Sequence, residues 1–355
     1  MQQPVAQKPK VYFFSFVGEN YSRSSTILNC ESDVFQKKFV QLPIGFIKST
    51  KAIISKVQEI RSADYLVVMS PCHIITPILK LLSGKKVVLD AGWSLTDGQL
   101  SRGLSCRNVI KLLQIYSIDF LAFHSARKII VESQAQKIRT SRIFLIPKRK
   151  IEVNFTGLDE SAFVGNPHVS EKMQDLDKKL EALGLSTIVL FRGKINNESG
   201  ILNILDAASR LEDRAAFILV CGKNDVILKL PPNVILLSDL TRDELKMVYQ
   251  KSDMTLGQIS NHPRLNYTIP HKAFEAGFFA KAYLTANTTG IRELYDQDSI
   301  CFIDDISGSG LATEIDKVST DTIRSEFSRR IRLDYDHKAS QKVLSSQFER
   351  ILQNL

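Results

Sequence analysis

With 355 residues, 44% of them hydrophobic and 24% charged, the chain has the composition of an ordinary folded protein and a length at which one core gives way to two domains. Its five cysteines (Cys30, Cys72, Cys106, Cys221, Cys301) are odd in number, far apart and without a CxxC pair, which favours reduced thiols over a disulfide framework. The net charge of +9 is uneven: residues 1–150 carry 23 Lys plus Arg against 9 Asp plus Glu, a net of +14, and the remainder 24 against 29, a net of −5.

Such asymmetry points to an anionic partner for the first half, although a solubilising surface would look the same. No helix-turn-helix, zinc or aromatic-platform signature accompanies it, so nucleic acid is not expected. The first ten residues are polar and no run reaches 18 apolar residues, so a cytoplasmic location is expected, extending to a peripheral place on the inner face of a membrane.

Lys10–Val17 reads as a buried first strand, followed by Gly18, a polar serine-rich turn and a helix from Thr26. That turn is a candidate anion loop on Gly18, or an ordinary βα turn. A helix over 47–61, a strand at Tyr65–Met69, a helix at His73–Leu82 and a strand at 86–90 continue the alternation. This is the pattern of a doubly wound parallel sheet. The loop Asp90-Ala-Gly-Trp-Ser-Leu-Thr-Asp97 puts two carboxylates at a strand's carboxyl end, where an acceptor and a general base are expected; turn capping is the structural alternative. His73 and His124 are weaker candidates for the same role. A helix at Arg107–Ser125, with core packing or a membrane surface as alternatives for its apolar positions, precedes strands at Lys128–Ser133 and Ile143–Pro147.

A polar stretch from about Gly165 marks the expected boundary. It separates domain 1–165, the acceptor side, from domain 166–325, with helices in 326–355 packing back toward the first. The second alternation has strands at 187–193, 216–221, 234–237 and 253–257, and helices at 171–183, 200–211 and 241–250. The last opens on the capping box Thr241-Arg-Asp-Glu244. Then comes Thr268-Ile-Pro-His-Lys-Ala-Phe-Glu275-Ala-Gly277: a helix opening on Pro270, with a carboxylate inside it able to accept sugar hydroxyls and free N–H groups at its start for a diphosphate. No histidine pairs with a carboxylate or cysteine at ligand spacing, so neither metal nor cofactor is expected.

Four segments in order, Asn154–Phe163, Leu190-Phe-Arg-Gly193-Lys194 with Gly200, Ser238–Asp253, and His271–Glu293, resemble the "GvD...F", "GR....KG", "G......l...y..aD" and "K.fEa.a.G.pvi....gG..E" segments of retaining glycosyltransferases of the GT-B fold, family 4. The resemblance covers most of the chain and is strongest over 150–300. It implies two Rossmann-like α/β domains facing each other across a cleft. Residue by residue it makes Glu275 the holder of the donor ribose and Lys194, with Arg192 and Gly193, a diphosphate site. Tyr267, Thr268, Ile269, Pro270 and His271 fall in the loop and helix start whose backbone approaches donor sugar and phosphates. The pattern departs at Tyr267, where an E-x7-E motif would place its first Glu, and at Ser199, where the Lys of "KG" would stand.

The implied activity is transfer of a hexose or N-acetylhexosamine, with retention, from a UDP- or GDP-sugar to a glycan or lipid-linked acceptor in surface polysaccharide or glycoconjugate synthesis. Asp90, Asp97 and Lys194 are the catalytic candidates and an anionic membrane surface is an expected partner. The two departures motivate an alternative, a non-catalytic nucleotide-sugar-binding or scaffold subunit of a glycan-assembly complex. A sugar-nucleotide epimerase is a third.

Overall fold

The computed structural model describes residues 8–19, 21–101, 109–223 and 229–355, so Cys106 and the first two residues of the helix expected from Arg107 lie outside it. Contacts divide the chain into two units, one running to Gly157 and taking up Gln341–Leu355 again, the other Leu158–Ser340. The boundary expected near residue 165 lies inside the second unit, and of the expected returning stretch 326–355 only the part from Gln341 joins the first.

The first unit runs β1 (Lys10–Ser15), α1 (Ser22–Leu28), β2 (Gln36–Gln41), α2 (Phe46–Ser55), α3 (Val57–Arg61), β3 (Tyr65–Met69), α4 (Thr76–Ser83), β4 (Val87–Gly92), α5 (Leu95–Leu100), α6 (Val109–Ser125), β5 (Lys128–Val131), α7 (Gln134–Phe144) and β6 (Ile151–Val153). Its six strands are all parallel, in the order β2-β1-β3-β4-β5-β6. Because parallel strands are covered on both faces, they read as continuous apolar runs, and β1 buries alternate residues in two different cores. Tyr12 and Phe14 pack with Ile53, Leu79 and Phe123, whereas Val11 and Phe13 pack with Ile27.

The second unit runs α8 (Glu171–Leu183), β7 (Thr187–Arg192), α9 (Ile201–Arg210), β8 (Ala215–Val220), β9 (Val234–Leu237), α10 (Arg242–Lys251), β10 (Met254–Leu256), α11 (His271–Phe278), β11 (Ala282–Ala286), α12 (Thr289–Arg292), β12 (Cys301–Ile303), α13 (Gly308–Val318) and α14 (Asp321–Lys338). The sheet is again parallel, in the order β12-β11-β10-β7-β8-β9. The capping box opens α10 as its sequence predicts: Thr241 Oγ1 accepts from the Glu244 N–H and Glu244 accepts from the Thr241 N–H at 2.8 Å. The last helix, α15 (Gln341–Gln353), belongs to the first unit and brings Phe348 and Leu352 into the core beneath Phe13.

Two expectations need correction. Ile143–Pro147 is not a strand: Ile143 and Phe144 finish α7, and Leu145 leaves it with a left-handed φ of 54°. The sheet's sixth strand is Ile151–Val153 instead. β2, unassigned from sequence, is a basic edge strand whose alternating exposure leaves no apolar run to recognise.

Candidate functional site

In the second sheet β7 lies between β8 and β10. The chain leaves β7 in one direction through β8 and β9, and in the other through β10, β11 and β12. Crossovers on either side of such a reversal diverge and open a crevice at the strands' carboxyl ends, the usual ligand position in a doubly wound sheet. The residues delivered there are Arg192, Gly193 and Lys194 after β7, and Gly257 and Gln258 after β10.

Glu275, from α11, is almost completely buried and accepts from three donors. Arg192 Nη1 and His271 Nδ1 (3.2 Å) reach Oε1, and the Tyr249 hydroxyl from α10 reaches Oε2 at 2.7 Å. Burial alone would raise this carboxyl; the Arg192 guanidinium, with the His271 and Tyr249 hydrogen bonds, instead holds it at about 2. Burial pushes the Tyr249 hydroxyl well above its ordinary range, so it remains a donor. A carboxylate offers about four lone-pair sites. Three are taken, so Glu275 is above all the anchor that orients Arg192 and His271.

Lys272, one helical turn before Glu275, is the residue that sequence reasoning passed over. Its side chain is buried at the switch point, with Nζ 3.8 Å above the Phe191 ring, 3.3 Å from Gln258 Oε1 and 3.5 Å from the Gly257 carbonyl. No carboxylate lies within ion-pair distance among the described residues. Burial pushes its ammonium down to about 7, against the pull of Glu275. The signal that could have found it is its spacing: a lysine three residues before a buried carboxylate on one short helix shares that carboxylate's face. Gly193, at φ +154°, runs beside this amine, and a Cβ there would come within 3.1 Å of Nζ.

Glu198 receives both bonds of a two-pronged pair from Arg264 Nη1, at 2.8 and 2.9 Å, fixing the turn after β7 to the segment before α11. Ser199 is fully buried and donates to the Asn196 carbonyl at 2.7 Å, so it closes that turn. Gly200 follows at φ +67° with its missing Cβ only 1.9 Å from the Ile259 carbonyl oxygen, a contact that no other residue could make. Tyr267 is half-buried; Thr268 and Ile269 are buried, and Pro270 is the cap of α11 with His271 the first helical residue. Lys194 is exposed, with no partner among the described residues. With Arg192, Gly193, Val220, Cys221, Asp239 and Leu240 it lines a recess of about 330 Å³ beside the crevice.

The first-unit candidates are placed differently. Asp90, next to a bulge in β4, is buried and accepts from Arg23 Nε (2.8 Å) and Nη2 (2.5 Å) through Oδ1, while Oδ2 has no partner among the described residues. Asp97 is engaged at both oxygens, by Arg139 (2.8 Å) and by Ser94 and Gln136 (3.0 and 3.1 Å), and its own N–H binds Ser94 Oγ, the cap of α5. Gly18 follows β1 with no atom within 4 Å of a would-be Cβ, so nothing in the space around it demands glycine. His73 is sealed in the core, bonded at 2.6 Å to Asp119, which also holds Thr96, and His124 bonds the Phe144 carbonyl. Among the described residues, no group of three His, Cys, Asp or Glu could hold a metal, and no helix is long and apolar enough to cross a membrane.

No protein-family model matches the chain, and no curated protein matches it in sequence. Solved structures do match in fold. HepE of Anabaena, in complex with UDP-glucose, is 15% identical with a TM-score of 0.72, over 98% of this chain and 100% of that one. A glycosyltransferase from Rickettsia africae is 12% identical with a TM-score of 0.69, over 98% of both chains. A protein from Listeria monocytogenes, described as a putative UDP-N-acetylglucosamine 2-epimerase, is 14% identical with a TM-score of 0.57, over 97% of both. The architecture is therefore the two-unit α/β fold of GT-B glycosyltransferases, a fold that it shares with that Listeria protein.

Proposed function

We propose that the chain is a glycosyltransferase that binds a nucleoside-diphosphate sugar in the second unit and moves its sugar to a hydroxyl of a glycan or lipid-linked acceptor. The observation that carries this is the set of cations Arg192, Lys194 and Lys272 grouped about Gly193 at the β7/β10 switch point, with Glu275 fixing Arg192. A departing nucleoside diphosphate gathers negative charge, and preorganised cations in a partly water-excluded crevice lower that barrier most. Glu275 keeps one lone pair for a ribose hydroxyl, the backbone at Thr268–His271 approaches the sugar phosphate, and the recess beside Lys194 takes the base. HepE, of the same fold, is complexed with UDP-glucose, which makes a uridine donor the first to try, with a guanosine donor second.

In this reading the transferred group is a hexose or N-acetylhexosamine, retention follows from the family 4 resemblance, and the product belongs to a surface polysaccharide or glycoconjugate. Asp90, with one oxygen free of Arg23, is the carboxylate that orients the acceptor. Asp97, engaged at both oxygens, holds the loop. Titration calorimetry with UDP and UDP-glucose tests the site: Glu275→Ala is expected to weaken binding at least tenfold, a loss of about 1.4 kcal/mol, with the far-ultraviolet spectrum unchanged. Wild-type affinity in that variant would remove Glu275 from the site.

The second reading, binding without transfer, is favoured by Ser199, whose buried side chain closes a turn and delivers no cation. A donor-turnover assay with and without acceptor glycans separates the readings. Binding with no release of UDP supports the scaffold, acceptor-dependent release supports the transferase, and acceptor-free conversion of the sugar supports an epimerase.

A further inference from the structure

Helices α2, α4 and α6 lie side by side over one face of the first sheet, α4 touching both of the others. Their inward residues, among them Ile53, Leu79, Ala122 and Phe123, fill the core. Their outward residues should then be polar. Instead Ile47 and Ile54 of α2, Leu81 of α4, and Ile110, Leu113 and Leu121 of α6 are between 53% and 84% exposed. Between them stand the exposed lysines Lys48, Lys51, Lys80 and Lys111. The three helices contain one acidic residue, Asp119, and it is buried against His73.

At the carboxyl ends of α4 and α6 this face runs into a basin of about 680 Å³ lined by seven Lys and Arg side chains and no Asp or Glu. Three of the seven are engaged by the protein. Lys86 donates to the Leu355 carbonyl, Lys128 pairs with Glu152, and Lys150 closes the end of α6 through the Phe123 and His124 carbonyls at 2.7 and 3.0 Å. Lys80, Lys85, Arg127 and Arg149 have side chains without a partner among the described residues. Burial above all, and then the nearby Lys80 and Arg127, push the Lys150 ammonium down to about 8.

Exposed aliphatic side chains interleaved with lysines, without acids and beside a cationic basin, match two chemistries at once: an apolar layer and a dense array of phosphates. Protein interfaces are depleted in lysine and pair their charges. A bilayer interface takes up aliphatic side chains and attracts unpaired cations to its anionic headgroups. We infer that the outward face of α2, α4 and α6, with the basin at its edge, docks the chain on an anionic lipid bilayer. Aliphatic side chains enter the headgroup boundary while Lys80, Lys85, Arg127 and Arg149 receive lipid phosphates. This stands independently of the donor-site reading, because vesicle binding is measured without turnover.

Co-sedimentation of the full chain with vesicles tests it. Wild type is expected to pellet with phosphatidylcholine vesicles containing phosphatidylglycerol, to remain in solution with phosphatidylcholine alone, and to lose most of its binding in concentrated salt. Ile47→Glu/Leu113→Glu and, separately, Lys85→Glu/Arg127→Glu are each expected to lower the bound fraction at least fivefold. Leu202→Glu, at an exposed leucine of α9 in the second unit, is expected to leave it unchanged. Lys85 is half-buried and the other positions are exposed, and equal thermal midpoints verify folding. Failure of the wild type to pellet, or equal pelleting of all variants, overturns the inference. A wild-type dimer in sedimentation velocity that Ile47→Glu/Leu113→Glu makes monomeric also overturns it, assigning the face to a second copy of the chain.

Discussion

Lys272 is buried in the candidate site with its ammonium pushed down, and its titration gives a test with a definite sign. Its ordinary value of 10.5 falls to about 7 in the folded chain. Below pH 7 both folded and unfolded states carry the proton, and the folded state bears the full cost of a buried charge. Between about 7 and 10.5 the unfolded state binds more protons than the folded one, so stability rises with pH across that window. Lys272→Met is therefore expected to stabilise the protein by a few kcal/mol at pH 6, with the advantage shrinking as pH rises. A bound diphosphate reverses the balance by restoring an anionic partner. At pH 8.5, UDP binding is expected to take up close to one proton in wild type and markedly less in Lys272→Met. Calorimetry in two buffers of different ionisation enthalpy reads this directly, and equal uptake in both proteins would remove Lys272 from the diphosphate site. The place of Glu275 inside a short helix could be read from the sequence because its motif is local. Tyr249, 26 residues earlier on another helix, could not, since only the packing of α10 against β7 and α11 brings it there.

At the scale of single elements, α11 shows how a short helix is made rigid enough to serve a site. Eight residues are too few to be stable alone. α11 is held by α14 behind it and by the Tyr295 hydroxyl, which donates to the Ala273 carbonyl at 3.0 Å. Gly277 makes that closeness possible: a Cβ there would lie 2.2 Å from the Tyr295 hydroxyl and 2.7 Å from Tyr335 Cβ. Intrinsic preference favours Gly277→Ala by about 1 kcal/mol, whereas overpacking against two fully buried tyrosines costs about 1–3 kcal/mol. The steric effect is expected to prevail, lowering the unfolding midpoint and weakening UDP binding through displaced Glu275. A stabilised variant with unchanged affinity would mean that α14 yields freely. The legible elements were those whose stop signals are local, such as α10 with its capping box and α8 ending at the left-handed Gly184. Ile143–Pro147 was misleading because a short apolar run has no period of its own; its fate was decided by α7 continuing into it and by the left-handed turn at Leu145.

For the whole molecule, alternating strands and helices in two series made both parallel sheets legible, but the assignment of the last helix depends on contacts that no local pattern encodes. The second unit is one continuous segment, whereas the first is completed only when the chain returns with α15. Phe348 is 1% exposed and stacks on Phe13 with ring centroids 5.8 Å apart, in the core that also holds Val11, Ile27 and Leu352. Phe348→Ala is expected to cost about 3–5 kcal/mol, and to cost it in the first unit alone. The protein supplies its own reporter, since its single tryptophan, Trp93, lies in that unit. In denaturant, the Trp93 fluorescence transition of Phe348→Ala is expected to move to lower concentration, while the transition of the second unit, identified by its stabilisation with saturating UDP, stays in place. If both transitions move together, the two units unfold as one cooperative body and α15 contributes to more than the core beneath Phe13.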